Sequence, residues 1–182
     1  MGLIHIYCGS GKGKTTAAAG LSIRAAGRGI PVIFAQFLKG DTSGEIRVLE
    51  RLETVTVMHA PICYGFTFRM SGEEKESAKK EYEQLFERAC GRAGEIAGTE
   101  GDKKEVRCLL VLDEVVAVCS TGLLDSGKVT RWLKEKPAGL EVVLTGRDPD
   151  PEWRELADYV SEIIAEKHPY SEGVTAREGI EF

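Results

Sequence analysis

The sequence predicts one α/β domain spanning residues 1–182, built on a mostly parallel sheet of about six strands with helices on both faces. Three observations carry that prediction. Short runs of apolar, β-favouring residues alternate with longer segments of helical spacing along the whole chain. Glycine, proline and polar clusters punctuate the junctions between them. The first apolar run opens into a glycine-rich turn and then an alanine-rich stretch, a strand-turn-helix unit whose repetition implies right-handed crossovers and hence parallel strands.

Taken in order, Leu3 to Tyr7 reads as a central strand, short and apolar enough to be buried on both faces. It ends at CGSGKGKTT, Cys8 to Thr16. Gly9, Gly11 and Gly13 permit turn conformations that a Cβ forbids, so that successive N–H groups can face an anion. The helix read from Thr15 to Ala26 adds its unpaired first amides and the positive end of its dipole. Lys12 and Lys14 bring two ammonium groups to the same turn. The general phosphate-loop pattern is G-x-x-x-x-G-K-[ST], and here Cys8 stands at its first glycine with Gly9 one place later. The loop therefore predicts phosphate binding, and the architecture becomes a three-layer fold like that of the P-loop NTPases.

Pro31 opens a second strand, Val32 to Phe37, followed by a polar loop that starts at Lys39. Ligands gather at the carboxyl edge of such sheets, which draws attention to Gln36, Lys39 and Glu45. A helix around Glu45 to Leu52 and a strand from Thr54 to Met58 come next. The loop from Ala60 to Met70 carries Tyr64, Phe66 and Phe68, rings that either pack on the core or receive a flat apolar ligand. Ser71 and Glu74 form a capping box that launches a helix from about Glu73 to Ala97, with Tyr82, Leu85, Phe86 and Ala89 on its apolar side. Gly98 to Arg107 is a polar hinge.

Cys108 to Leu112 is a continuous apolar strand ending in Asp113-Glu114. A buried strand that delivers carboxylates to the mouth of a phosphate loop can hold magnesium, directly or through water. Asp125 or Ser126 caps a helix running to Lys136, and Leu140 to Leu144 is a fifth strand leading into Thr145-Gly146-Arg147. Asp150-Pro151 starts another helix, Tyr159 to Ile164 is a sixth strand, and Lys167 to Phe182 shows no periodicity.

Composition narrows the function. The formal net charge is −5, and the 24 basic residues form no run longer than two, so the chain lacks the electrostatic footprint of a nucleic-acid binder. Five cysteines, odd in number and without C-x-x-C spacing, argue for reduced thiols rather than a disulfide framework or a zinc site. No stretch has the length of a membrane span, and the first strand follows the N-terminus too closely for a signal peptide, so a cytoplasmic location is expected.

Taken together, the motifs resemble those of the ATP:corrinoid adenosyltransferases. The likeness rests on GSGKGKTTAA (9–18), RAAGRG (24–29), QFLKG (36–40), Gly44-Glu45, GFTF (65–68), VLDE (111–114), LTGR (144–147), and Lys167-His168 followed by GVTAREGIEF (173–182). The displaced first glycine is itself typical of that family. The resemblance implies transfer of the 5′-deoxyadenosyl group of ATP to cobalt(I) of a reduced corrinoid, with triphosphate leaving. Cobalt is then the nucleophile, and the protein's task is to hold the leaving triphosphate and align the 5′ carbon. By the same resemblance Gly9, Ser10, Gly11, Lys12, Gly13, Lys14, Thr15 and Thr16 would bind ATP, with Lys14 as cationic clamp and Thr15 and Glu114 at Mg2+. Arg24 would lie near the nucleoside, and Phe66 and Phe68 would face the corrin. An electron donor for cobalt and a homodimer are implied as partners. Two features depart from the family: Phe68 stands where tryptophan is usual, and the sequence begins almost on the first strand where many members carry an extra segment that helps cover the site. The competing readings are a small kinase or NTPase cleaving at the γ-phosphate, which fits the glycine loop equally well, and a nucleotide- or corrinoid-binding module without turnover.

Overall fold

Alternation with period two along the central strands sorts their side chains onto the two faces of a sheet. In the computed structural model, which describes residues 1–38, 43–60, 70–98 and 105–181, that sheet has six strands. They are β1 (Ile4–Cys8), β2 (Val32–Gln36), β3 (Val55–His59), β4 (Cys108–Asp113), β5 (Leu140–Thr145) and β6 (Tyr159–Glu162). Their order is β3-β2-β4-β5-β1-β6, and every neighbouring pair is parallel.

Ile4, Ile6, Ile33, Ala35, Leu110, Leu112, Val142 and Leu144 face one side, under α3 (Gly72–Ala97), α4 (Val115–Ser120), α5 (Ser126–Glu135) and α6 (Pro151–Leu156). Phe34, Leu109, Val111 and Val143 face the other, under α1 (Lys14–Ala26) and α2 (Gly44–Leu49). This is the expected three-layer arrangement. Among the described residues no helix is long and apolar enough to cross a membrane.

Local signals account for most element ends. The α3 capping box is formed: Glu74 N–H donates to Ser71 Oγ at 3.2 Å, and Ser71 N–H donates to Glu74 Oε2 at 2.7 Å. Tyr82, Leu85, Phe86 and Ala89 are buried beneath it. Asp125 caps α5 and Asp150 caps α6, with Pro151 at its first turn. Two elements carry no clear sequence signal, the short 3-10 helix Pro169–Glu172 and α4. Val-Val-Ala-Val has poor helix propensity and reads as a continuation of the strand before it. It turns helical because Glu114 adopts a left-handed conformation, φ 64°, that ends β4, after which Val115, Val116 and Val118 fill the core. Of the five cysteines, Cys8, Cys90, Cys108 and Cys119 are free thiols, and Cys63 lies outside the described residues. Burial pushes Cys108 and Cys119 up to about 12, which leaves them poor nucleophiles.

The topology sets the site. β5 lies between β1 and β4, so the glycine loop after β1 and the acidic end of β4 meet across the end of β5, at the carboxyl edge of the sheet.

Candidate active site

The loop from Cys8 to α1 is held by the fold as much as by its own glycines. Gly9 and Gly13 have φ of 102° and 121°, a region that L side chains rarely adopt. A Cβ on Gly9 would also fall 2.5 Å from the carbonyl oxygen of Ile163. Gly9 N–H donates to Arg147 O at 3.1 Å and Gly11 N–H to Ile163 O at 2.7 Å, so both amides are committed to neighbouring strand ends. The amides at the start of α1, which has no side-chain cap at Gly13, are the ones placed to receive an anion. Lys14 bends over the turn, and its Nζ donates to Gly9 O at 2.9 Å and Gly11 O at 2.8 Å. Burial lowers the Lys14 pKa below the ordinary lysine value, while the nearby Glu114 carboxylate pulls it back up.

Behind the loop is a buried polar node centred on Asp113, which is wholly shielded from solvent. Thr15 Oγ1 donates to Asp113 Oδ1 at 2.9 Å, and Thr145 Oγ1 donates to the same oxygen at 2.7 Å. Gln36 Nε2 donates to Oδ2 at 3.3 Å. Neutral donors thus satisfy the carboxylate in a low-dielectric setting, where such bonds are strong and their loss is costly. The Glu114 N–H donates to Thr145 Oγ1 at 2.8 Å, which helps hold its left-handed backbone. That conformation stores about 1–3 kcal/mol of strain in a non-glycine residue, a common feature of functional turns.

In front of this node lies a cleft of about 550 Å3 whose walls carry Lys12, Lys14, Thr15, Glu45, Glu114 and Glu181. The last of these comes from the far end of the chain. Lys12 Nζ donates to Glu181 Oε1 at 2.8 Å. Arg177 grips the same carboxylate, with NH2 to Oε1 at 3.0 Å, Nε to Oε2 at 3.1 Å and backbone N–H to Oε2 at 2.8 Å. Those bonds, Arg177's first and Lys12's next, hold the Glu181 carboxyl well below the usual carboxylate range.

Most of the predicted site residues come together. Gly11, Lys12, Gly13, Lys14, Thr15, Thr16 and Glu114 line one cleft, while buried Gly9 and exposed Ser10 complete the turn. Lys12 and Lys14 do not converge on one point, since Lys12 turns outward to Glu181 and Lys14 inward to the loop carbonyls. Thr15 Oγ1 bonds to Asp113, a carboxylate the resemblance left without a role. Arg24 is exposed on α1 and acts electrostatically on Tyr7, while its neighbour Ile23 lines the cleft. Lys39, Tyr64, Phe66 and Phe68 lie outside the described residues. Gln36, marked by its place at the sheet edge, falls in the node, whereas Thr145, Arg177 and Glu181 carry no signal of their own in the sequence. Each sits in a quoted motif block, but its chemistry depends on a partner distant in sequence.

Hard oxygen donors fit a magnesium ion: the Thr15 hydroxyl, Asp113 and Glu114 are the kind of ligands and supports that Mg2+ takes beside phosphate. Beside Asp113, the Gln36 side chain has a buried Oε1 with no hydrogen-bond partner among the described residues.

A family model described as ATP:corrinoid adenosyltransferase BtuR/CobO/CobP matches residues 1–182. A corrinoid adenosyltransferase from Sinorhizobium sp is 33% identical over 183 residues, covering 100% of this chain and 80% of that protein. One from Escherichia coli K12 is 34% identical over 182 residues, covering 100% and 86%. Among solved structures, the cytoplasmic domain of EssC superposes with a TM-score of 0.52 at 13% identity, covering 98% of this chain and 36% of that one, which is a likeness of fold alone.

Proposed function

We propose, for a chain that belongs to the ATP:corrinoid adenosyltransferase family, how its own residues carry the reaction of that family. The enzyme transfers the adenosyl group of ATP to a corrinoid. In our reading the acceptor is cobalt(I), which attacks the 5′ carbon while the C5′–O bond breaks and triphosphate departs with the bonding electrons. No general base is required, because the nucleophile carries no proton. What supports this reading is the cleft lined by Lys14, Thr15 and Glu114 at the start of α1, with Thr15 anchored from behind by Asp113, as a place for a polyanion.

Lys14 exchanges its bonds to Gly9 O and Gly11 O for phosphate oxygens and neutralises charge as the triphosphate leaves. The α1 amides and dipole hold the same group. Thr15 and Glu114 would hold Mg2+, with Asp113 keeping the Thr15 hydroxyl in place. The ion, when bound, would draw electron density from the leaving triphosphate. Ser10, Lys12, Gly13 and Thr16 complete the ATP contacts, and Arg24 approaches the nucleoside. Phe66 and Phe68 face the corrin, a proposal that rests on the sequence resemblance. An external donor supplies the electron that makes cobalt(I). The protein works as a homodimer in the cytoplasm, and the exposed apolar residues Tyr159 and Val160 of the edge strand β6 suit a surface that a second copy covers.

The deciding experiment incubates the protein with MgATP and chemically reduced corrinoid and separates the products. Adenosylcorrinoid and inorganic triphosphate in equal amounts are expected. ADP and phosphate formed in step with turnover would instead establish a kinase-like or NTPase activity. In the same assay Phe68→Ala slows transfer far more from cobalt(II) plus mild reductant than from preformed cobalt(I). An equal proportional loss would reduce Phe68 to packing.

A further inference from the structure

Gln36 closes β2 in register with Asp113 on β4, and it is 1% exposed. Its Nε2 donates to Asp113 Oδ2 at 3.3 Å. An ionised carboxylate only accepts, so the orientation of the amide is imposed: turned over, it would set oxygen against oxygen. Oε1 is therefore fixed on the side of the amide away from Asp113. There it is buried, with no hydrogen-bond partner among the described residues. Buried amide oxygens nearly always accept a hydrogen bond, and an exception beside a ligand-binding carboxylate calls for a donor that arrives with the ligand.

We propose that Gln36 is a positioning residue of the magnesium site, orienting Asp113 through Nε2 and accepting through Oε1 a hydrogen bond from water carried by the nucleotide-bound ion. The inference rests on the magnesium reading given above. Its chemistry is consistent with that ion, which sheds water reluctantly and usually keeps several of its waters when bound with phosphate. A neutral amide oxygen can orient such a water without adding negative charge to a cleft that already carries Glu45, Glu114 and Glu181. Thr15 and Thr145 both donate to Oδ1, so Gln36 steadies the other oxygen of the carboxylate.

The test measures ATP binding by calorimetry without corrinoid, at a series of Mg2+ concentrations, beside the melting temperature of the nucleotide-free protein. Wild type is compared with Gln36→Met, which keeps length and volume but loses donor and acceptor, and Gln36→Glu, which keeps an acceptor oxygen. Gln36→Met is expected to raise the Mg2+ concentration for half-maximal binding by about tenfold or more, as loss of outer-shell support commonly does. Gln36→Glu is expected to shift it less. Should Gln36→Met fail to fold, Gln36→Asn, which withdraws the amide by one methylene, is expected to shift the midpoint in the same direction. An unchanged midpoint with a lowered melting temperature overturns the proposal and makes Gln36 a packing residue. Equal shifts in Gln36→Met and Gln36→Glu overturn it too, because the bond to Asp113 alone then carries the effect. If wild type binds ATP equally well with and without Mg2+, the magnesium reading itself fails, a result distinguishable from either of these.

Discussion

Asp113 and Glu181 are both carboxylates at the phosphate cleft, held in opposite ways. Asp113 is buried and satisfied by neutral donors, Thr15, Thr145 and Gln36, that belong to three elements or their ends. Glu181 is reached by water and satisfied by two cations, Lys12 and Arg177. A buried node of this kind is preorganised, because each donor is already desolvated and none has a better partner. An exposed ion pair is exchangeable, since water and salt compete for both members. The first suits a part that must stay in place through the reaction. The second suits a contact that a polyanion can displace when it takes Lys12.

Four substitutions would break or sharpen that contrast, beginning with the largest effect. Asp113→Asn turns an amide group toward at least one donor, leaving a buried N–H or O–H without an acceptor, at about 1–3 kcal/mol of stability. Transfer should fall on the order of 100-fold with it, as on loss of one preorganised electrostatic group. Product chromatography and thermal unfolding together check both halves. Lys14→Ala should lose transfer to a similar degree while keeping its melting temperature, which separates charge at the phosphates from integrity of the node. Thr145→Val comes next: it preserves shape but removes the acceptor of Glu114 N–H and one donor to Asp113, and should raise the Mg2+ requirement by about tenfold. A midpoint unchanged in Thr145→Val would mean that Glu114 holds its conformation without help.

The smallest effect is expected at Glu181. Glu181→Gln removes the carboxylate that competes with phosphate for Lys12, so ATP affinity should rise a few-fold at low ionic strength and return to the wild-type value near 1 M salt, where the screening length is about 3 Å. A change as large as that of Asp113→Asn, or one indifferent to salt, would erase the distinction between the two carboxylates.

A third carboxylate, remote from the cleft, provides a control. Glu141 is half-buried, and burial raises its pKa, but hydrogen bonds from the His5 ring at 2.6 Å and Leu3 N–H at 2.7 Å outweigh this and leave it below the ordinary 4.5. A carboxyl whose pKa is lower in the folded protein stabilises it fully above the ordinary value, and that contribution is lost as pH falls below about 4.5. Glu141→Gln should therefore flatten the acid limb of stability against pH while transfer at neutral pH stays unchanged.

The parts legible in the sequence are those whose cause is local. Short apolar runs, the Ser71–Glu74 capping box, the Asp125 and Asp150 caps and the glycines before Lys14 each act on residues a few positions away, so the alternating layers and the phosphate loop could be read from the chain. Tertiary structure decided the rest. Val115 to Ser120 is helical against its propensity because burial of three valines outweighs their preference. Thr15 meets Asp113, 98 residues away, because strand order sets the end of β4 beside the β1 loop, and Lys12 meets Glu181, 169 away, because the tail after β6 returns to that loop. Residue type alone announces that a threonine or a glutamate can bond. Only the packing of the sheet decides with which partner, and whether that bond lies in a dry interior, where it is fixed, or in water, where it can be exchanged.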